Sequence, residues 1–349
     1  MDSRIASRRS EKWTKYPPDV LPAWVAEMDF EPAPCVVDAL VRAIERGDLG
    51  YIGDVSGLLD AFAGFMERRL GWTVGDVAIV CDVMVGIHEV VRHVGGPVVI
   101  SPPCYPPYFA EIPREVVEVP LLEDFSLDFD GLDTAFEQGA RALVLCNPHN
   151  PTGRVAPRSE LERLASLADA WGVHVIADEI HAPLSFGDFT SWANVSENGS
   201  VLTSASKAFN LPALKLAFVV GEVATELPEH LRDHAGLLGV IASEAAFRDG
   251  DAWLDETIAT IRSNHALVRD VLPADVRVAF SPQAGYLTWL DCRAAGLGDD
   301  PAAAFLERGR VALYSGLKFG AAGAGFVRLN VGTTPDVVEE AVRRLVRAL

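Results

Sequence analysis

The sequence predicts an α/β protein: a large unit with a mainly parallel central sheet, joined to a smaller α+β unit. From about residue 95 to 220, short apolar runs alternate with helical patterns, as in successive β-α units. Beyond about residue 272 the pattern changes to alternating strands followed by one amphipathic helix.

In the large unit the strands are expected at "GGPVVIS", "RALVLC", "VHVIAD", "SVLTSA" and "LAFVVG". Between the second and third, "RSELERLASLADAWG" reads as a crossover helix. Ser159 and Glu162 form its capping box, Leu161, Leu164, Ala168 and Trp171 its apolar stripe, and Gly172 its stop. Residues from about 228 to 272 read as largely helical, with Trp253, Ile258, Ile261, His265 and Val268 on the buried face of a long connecting helix. The strands of the small unit are "RVAFSPQAGYLTWLD" and "AGFVRLNVG"; the closing helix takes Thr334 as N-cap and Pro335 as its first residue. No flexible linker separates the units, so small-molecule chemistry is expected in the cleft between them.

Of the 349 residues, 49% are apolar and 23% charged, the balance of a globular protein. A net charge of -19 leaves no basic face for nucleic acid and favours solubility. The five cysteines, Cys35, Cys81, Cys104, Cys146 and Cys292, are scattered without a C-x-x-C pair, which argues against a disulfide framework or zinc site and for reduced core thiols. Neither a leader-like apolar segment nor an 18-residue apolar run is visible, so the expectation is a soluble cytoplasmic protein without membrane contact.

Three features fall at strand ends or in the turns that follow, where open α/β sheets place ligands. "NPHNPTG", Asn147 to Gly153, is a tight loop that can present the amide of Asn150. Asp178 of "ADEIH" ends an apolar strand, and a carboxylate there needs a partner to offset its burial. In "SASKAFNLPALK", Lys207 follows Ser204 and Ser206. Hydroxyls, a lysine and a carboxylate suit, respectively, a phosphate, a Schiff base and a protonated ring nitrogen. His230 and His234 are one turn apart, but Glu229 and Asp233 beside them read as a solvated face rather than a metal site.

Asn150, Asp178 and Lys207, spaced by 28 and 29 residues, stand in the order found in fold-type I pyridoxal phosphate (PLP) enzymes, and the chain resembles the class I/II aminotransferases. "KWTKYPPDVLPAWVAEMDF", "LGYIG", "LCNPHNPTGR", "DEIH", "SKAFNL", "GYLTWLD" and "GFVRLNVG" resemble most the MalY/PatB-type cystathionine β-lyase branch. The resemblance implies an N-terminal arm and part of the small domain over 1-40, a large PLP-binding domain over 41-240 and a C-terminal small domain over 241-349.

It also implies a role for each matched residue. Lys207 would form the Schiff base and act as general base, and Asp178 would pair with the pyridinium nitrogen. Asn150 would meet the ring's phenolic oxygen, Tyr105 would stack on the ring, and His181 would stand where many aminotransferases carry tyrosine. Ser204, Ser206, Val83, Met84 and Lys215 would lie toward the phosphate, with Tyr51 reaching the phosphate of a second subunit in a homodimer. Arg328 would grip the substrate carboxylate, and Trp24 would line the substrate entrance.

Two departures from the family pattern stand out. Asp82 of "VCDVMVG" puts an anion at the phosphate cup unless it turns away or pairs with Lys215. In "ALYSGLKFG" the residues Ser315, Gly316, Leu317 and Lys318 replace the branch's Pro-Gly-Ser-Ser, which should alter the pocket wall. The expected activity is β-elimination from a cystathionine-like or cysteine-conjugate L-amino acid, giving thiol, ammonia and pyruvate. An aminotransferase uses the same residues, and a non-catalytic PLP-binding regulator is the third reading.

Overall fold

The computed structural model describes residues 7–349. Its main sheet has seven strands: β1 (Val77–Val80), β2 (Val98–Ile100), β3 (Val116–Glu118), β4 (Ala142–Cys146), β5 (His174–Asp178), β6 (Gly199–Thr203) and β7 (Ala217–Val220). They lie in the order β1-β7-β6-β5-β4-β2-β3. Only β7 runs against the rest, pairing antiparallel with both β1 and β6. All five expected strands are present; β1 and β3, short runs of three or four residues, were not anticipated.

Helices cover both faces, as a sheet buried on both sides requires. α1 (Pro34–Arg46) and α2 (Ser56–Leu70) pack against α6 (Leu237–Asp249), and Phe62 of α2 stacks on Phe218 of β7 at 4.1 Å between ring centroids. α3 (Val83–Val94) lies close on the sheet because Gly86 has no side chain: a Cβ there would come within 2.8 Å of Leu202 and 2.9 Å of Val219.

The crossover helix α4 (Arg158–Trp171) ends at Gly172 in the left-handed conformation, and Leu161, Leu164 and Ala168 are buried. Its start differs from expectation. Pro157 is the N-cap, so Ser159 and Glu162 lie inside the helix and make no capping box; Glu162 instead accepts from Arg158 at 2.9 Å. Trp171 is not a core residue. It is 37% exposed, and its indole N–H donates to Asp133 at 2.8 Å.

α5 (Ala205–Ala208) carries Lys207. The long helix α7 (Asp251–Val271) follows α6 after Gly250 and packs against the closing helix α8 (Pro335–Ala348). Between them lies an antiparallel sheet, β10-β11-β9-β8, formed by β8 (Arg277–Val278), β9 (Leu287–Asp291), β10 (Tyr314–Ser315) and β11 (Phe326–Asn330). Thr334 has the extended N-cap backbone, but its hydroxyl bonds Asp336 rather than a backbone N–H. Leu21 and Pro22 pair in parallel with Val311 and Ala312, tying the N-terminal segment to the C-terminal unit.

All five cysteines are free thiols; Cys104 and Cys292 are buried, and the others are half-buried. Among the described residues no helix is long and apolar enough to cross a membrane, and no side-chain cluster suits a metal ion.

Candidate active site

The carboxyl ends of β1, β4, β5 and β6 converge on a cavity of about 490 Å³. Lys207, Asp178, Asn150, Tyr105, His181, Ser204, Ser206, Lys215, Val83, Met84, Arg328 and Trp24 all line it. Tyr51 does not; it is 99% exposed on the loop after α1.

Each position follows from local chain geometry. Asn147 directly follows β4, and its side-chain oxygen accepts from Ala156 N–H at 2.9 Å, closing the loop that presents Asn150. Gly153 in that loop has φ +72, and a Cβ there would meet Pro282 at 2.8 Å and the Ala284 carbonyl at 2.9 Å. Asp178 is the last residue of β5; Lys207 sits one turn beyond β6, in a short helix capped by Ser204. Arg328 lies in the middle of β11, opposite Tyr314 and Trp289.

Asp178 is buried, and its neutral donors are Tyr108 Oη–H at 2.5 Å and Ile180 N–H at 3.2 Å. Burial pushes its pKa up, while those two hydrogen bonds and the nearby Lys207 charge oppose the rise. Lys207 donates to the Ala26 carbonyl at 3.2 Å; its pKa falls to about 8, first through burial and then through repulsion by Arg328. Burial likewise depresses His181 to about 3, so the imidazole is neutral, and its Nδ1 lacks a hydrogen-bond partner.

Arg328 is buried between the units. Its Nη1 donates to Asn150 Oδ1 at 2.9 Å and Nη2 to the Trp24 carbonyl at 3.0 Å, leaving Nε unpaired. The guanidinium lies 4.8 Å from the Tyr314 ring centroid and 5.1 Å from that of Phe319. Burial brings its pKa down to about 10, so at neutral pH it stays cationic.

At the other end, Lys215 Nζ lies 3.0 Å from Asp82 Oδ2, the pairing that keeps the anion from standing alone. Asp82 Oδ1 also accepts from Met84 N–H at 2.9 Å, capping α3. Ser204 Oγ is used structurally, donating to the Leu216 carbonyl and accepting from Ser206 N–H.

The altered stretch Ser315 to Lys318 stays outside this cavity; Ser315 Oγ donates to Asp300 Oδ1, while its neighbour Tyr314 forms the wall. Tyr108, Tyr314 and the Ala26 carbonyl were missed in the sequence. Only Tyr108 carried a signal, three residues after Tyr105 and so on the same side of a helical turn.

The family model "Aminotransferase class I and II" matches residues 83–345. The chain belongs to that family. Among relatives of this aminotransferase-family chain, the cystathionine beta-lyase of Corynebacterium glutamicum is 35% identical over 99% of this chain and 98% of its own. Cystathionine beta-lyase PatB of Bacillus subtilis is 33% identical over 95% and 93%. A solved Corynebacterium diphtheriae structure superposes with a TM-score of 0.95 at 34% identity, covering 99% of this chain and 97% of its own. The architecture is that of fold type I.

PLP is the cofactor of this family, and the residues present fit it. The buried Asp178 carboxylate has only neutral donors and so is open to a cationic ring nitrogen. Lys207, with its lowered pKa, lines the same space, as do His181 and the turn at Ser204 and Ser206.

Proposed function

We propose that the chain is a PLP-dependent carbon–sulfur β-lyase acting on L-cystathionine or a related cysteine conjugate, with release of a thiol, ammonia and pyruvate. The observation that carries this is a site with Lys207, Asp178 and Arg328 around one cavity, in a chain alike over its whole length to cystathionine β-lyases.

Lys207, Asp178, Asn150 and Tyr105 would hold the ring, and Ser206, Lys215 and the start of α3 the phosphate. When bound, PLP supplies an electron sink that acidifies the Cα hydrogen of an amino acid. Arg328 presents a planar two-point donor to the substrate carboxylate, once the guanidinium exchanges its Asn150 or Trp24 contact for it. Lys207 Nζ takes the proton from Cα, for which a pKa near 8 is well matched to neutral conditions. Asp178 would keep a proton on the ring nitrogen, and Tyr108 fixes the orientation of that carboxylate. The thiolate then leaves Cβ, and the released three-carbon enamine hydrolyses to pyruvate and ammonia.

A cytoplasmic homodimer fits this reading. Five free thiols suit a reducing compartment. Tyr51 is fully exposed, and Val41, Ile44 and Leu49, shortly before it in the chain, are exposed apolar residues too, which suits a partner-facing surface on which Tyr51 serves the second site.

The test is to incubate PLP-loaded protein with L-cystathionine without a keto acid. Pyruvate released over many turnovers, and lost in Lys207→Ala, is the expected result. A single turnover restored only by keto acid would make the protein an aminotransferase, and no cofactor spectral change with any amino acid would make it a binder.

A further inference from the structure

The outer part of the cavity carries a charged pair that the chemistry above does not use. Glu11 and Lys15 both line it, one helical turn apart, with Lys15 Nζ 3.2 Å from Glu11 Oε1. Exposed pairs of this kind add little to stability, so the pair needs no structural purpose. Its position, by contrast, is firmly set. Lys12 in the same turn is buried, its ammonium 2.7 Å from Asp29 Oδ1 and 3.0 Å from the Glu27 carbonyl.

Lys15 Nζ also stands 3.9 Å from the ring centroid of Trp24, and Trp24 stacks on Tyr314 at 6.1 Å with 22° between planes. Arg328 rests against Tyr314 and is bonded to the Trp24 carbonyl. One aromatic wall therefore carries a cation at each end: Arg328, buried, and Lys15, exposed with a carboxylate at its side.

We propose that Glu11 and Lys15 form a subsite for the far end of substrates whose leaving thiol itself bears an α-amino acid group. The inference rests on the lyase reading and narrows its substrate class. The distal carboxylate would meet Lys15 and the distal ammonium Glu11, while the thioether chain lies along Trp24 and Tyr314. Such a zwitterion replaces the existing ion pair with two opposite-charge contacts, whereas a leaving group without charges would leave the pair as it is.

The test compares PLP-loaded wild type, Glu11→Gln and Lys15→Met on L-cystathionine and on S-methyl-L-cysteine. Each variant should lose about tenfold in kcat/KM on cystathionine, mainly through KM, and stay within about twofold on S-methyl-L-cysteine, which also reports an intact fold. Equal losses on both substrates, or none on cystathionine, would overturn the subsite. If wild type releases pyruvate from neither compound, the lyase reading fails by itself. The subsite is then judged from spectral titration: a selective loss of cystathionine affinity in the variants supports it, and unchanged affinity sinks it.

Discussion

Lys215 and Asp82 form an ion pair across the strands that border the cavity, 3.0 Å apart, with the second Asp82 oxygen turned onto the first turn of α3. The helix end that suits a phosphate is thus already capped by a carboxylate. Asp82→Ser keeps a capping hydroxyl and removes the charge, so PLP affinity should rise about threefold, a modest factor because both side chains are partly solvated. Lys215→Met leaves the carboxylate uncompensated and should weaken PLP binding about tenfold. Fluorescence titration of the apoprotein reads both, and a tighter Lys215→Met variant would contradict the arrangement.

Arg328→Lys should lower kcat/KM on cystathionine by about thirtyfold, roughly 2 kcal/mol, mostly as a raised KM. An ammonium cannot keep one of the bonds to Asn150 and Trp24 while also presenting a planar fork to a carboxylate. Steady-state kinetics on both variants of the carboxylate partner, free acid and amide, would show the loss only for the acid.

The reactive form of Lys207 is the neutral amine, and its pKa is lowered to about 8 by burial and by Arg328. The neutral fraction therefore grows as pH rises through 8. Covalent attachment of PLP to the apoprotein should accelerate over the same window and level off above it. Stopped-flow absorbance from pH 6 to 10 checks this; continued acceleration with no plateau by pH 10 would show a lysine unaffected by its surroundings.

Lys12→Met should destabilise the fold by about 3–5 kcal/mol, because Asp29 would be left buried without its cation. The double replacement Lys12→Met with Asp29→Leu should recover most of that loss in urea denaturation. A single variant as stable as wild type would mean that the pair is not buried in solution.

The core sheet and the cavity residues were legible because strand ends carry both the apolar pattern and the polar residue that follows it: Asp178 after "HVIA", Ser204 after "SVLT". The capping box at Ser159 and Glu162 misled, since the helix begins at Arg158, directly after the extended Pro157, and takes both residues into its first turns. The reversal of β7 was hidden because a strand buried on both faces reads alike in either direction. Tyr314 and the Ala26 carbonyl could not be seen from local pattern: the first becomes a wall only through pairing with Arg328, and the second is a backbone atom, identical at every position.

The bond from Arg328 to the carbonyl of Trp24 joins residues 304 apart in the sequence. The main sheet is complete at Val220, long before that. During synthesis, then, the sheet that carries Lys207 can take shape before Arg328 has emerged, and the bond from Arg328 to the Trp24 carbonyl is made only once β11 is in place. A nascent or C-terminally shortened chain would fold around an open basin: able to retain a cofactor, unable to orient a substrate.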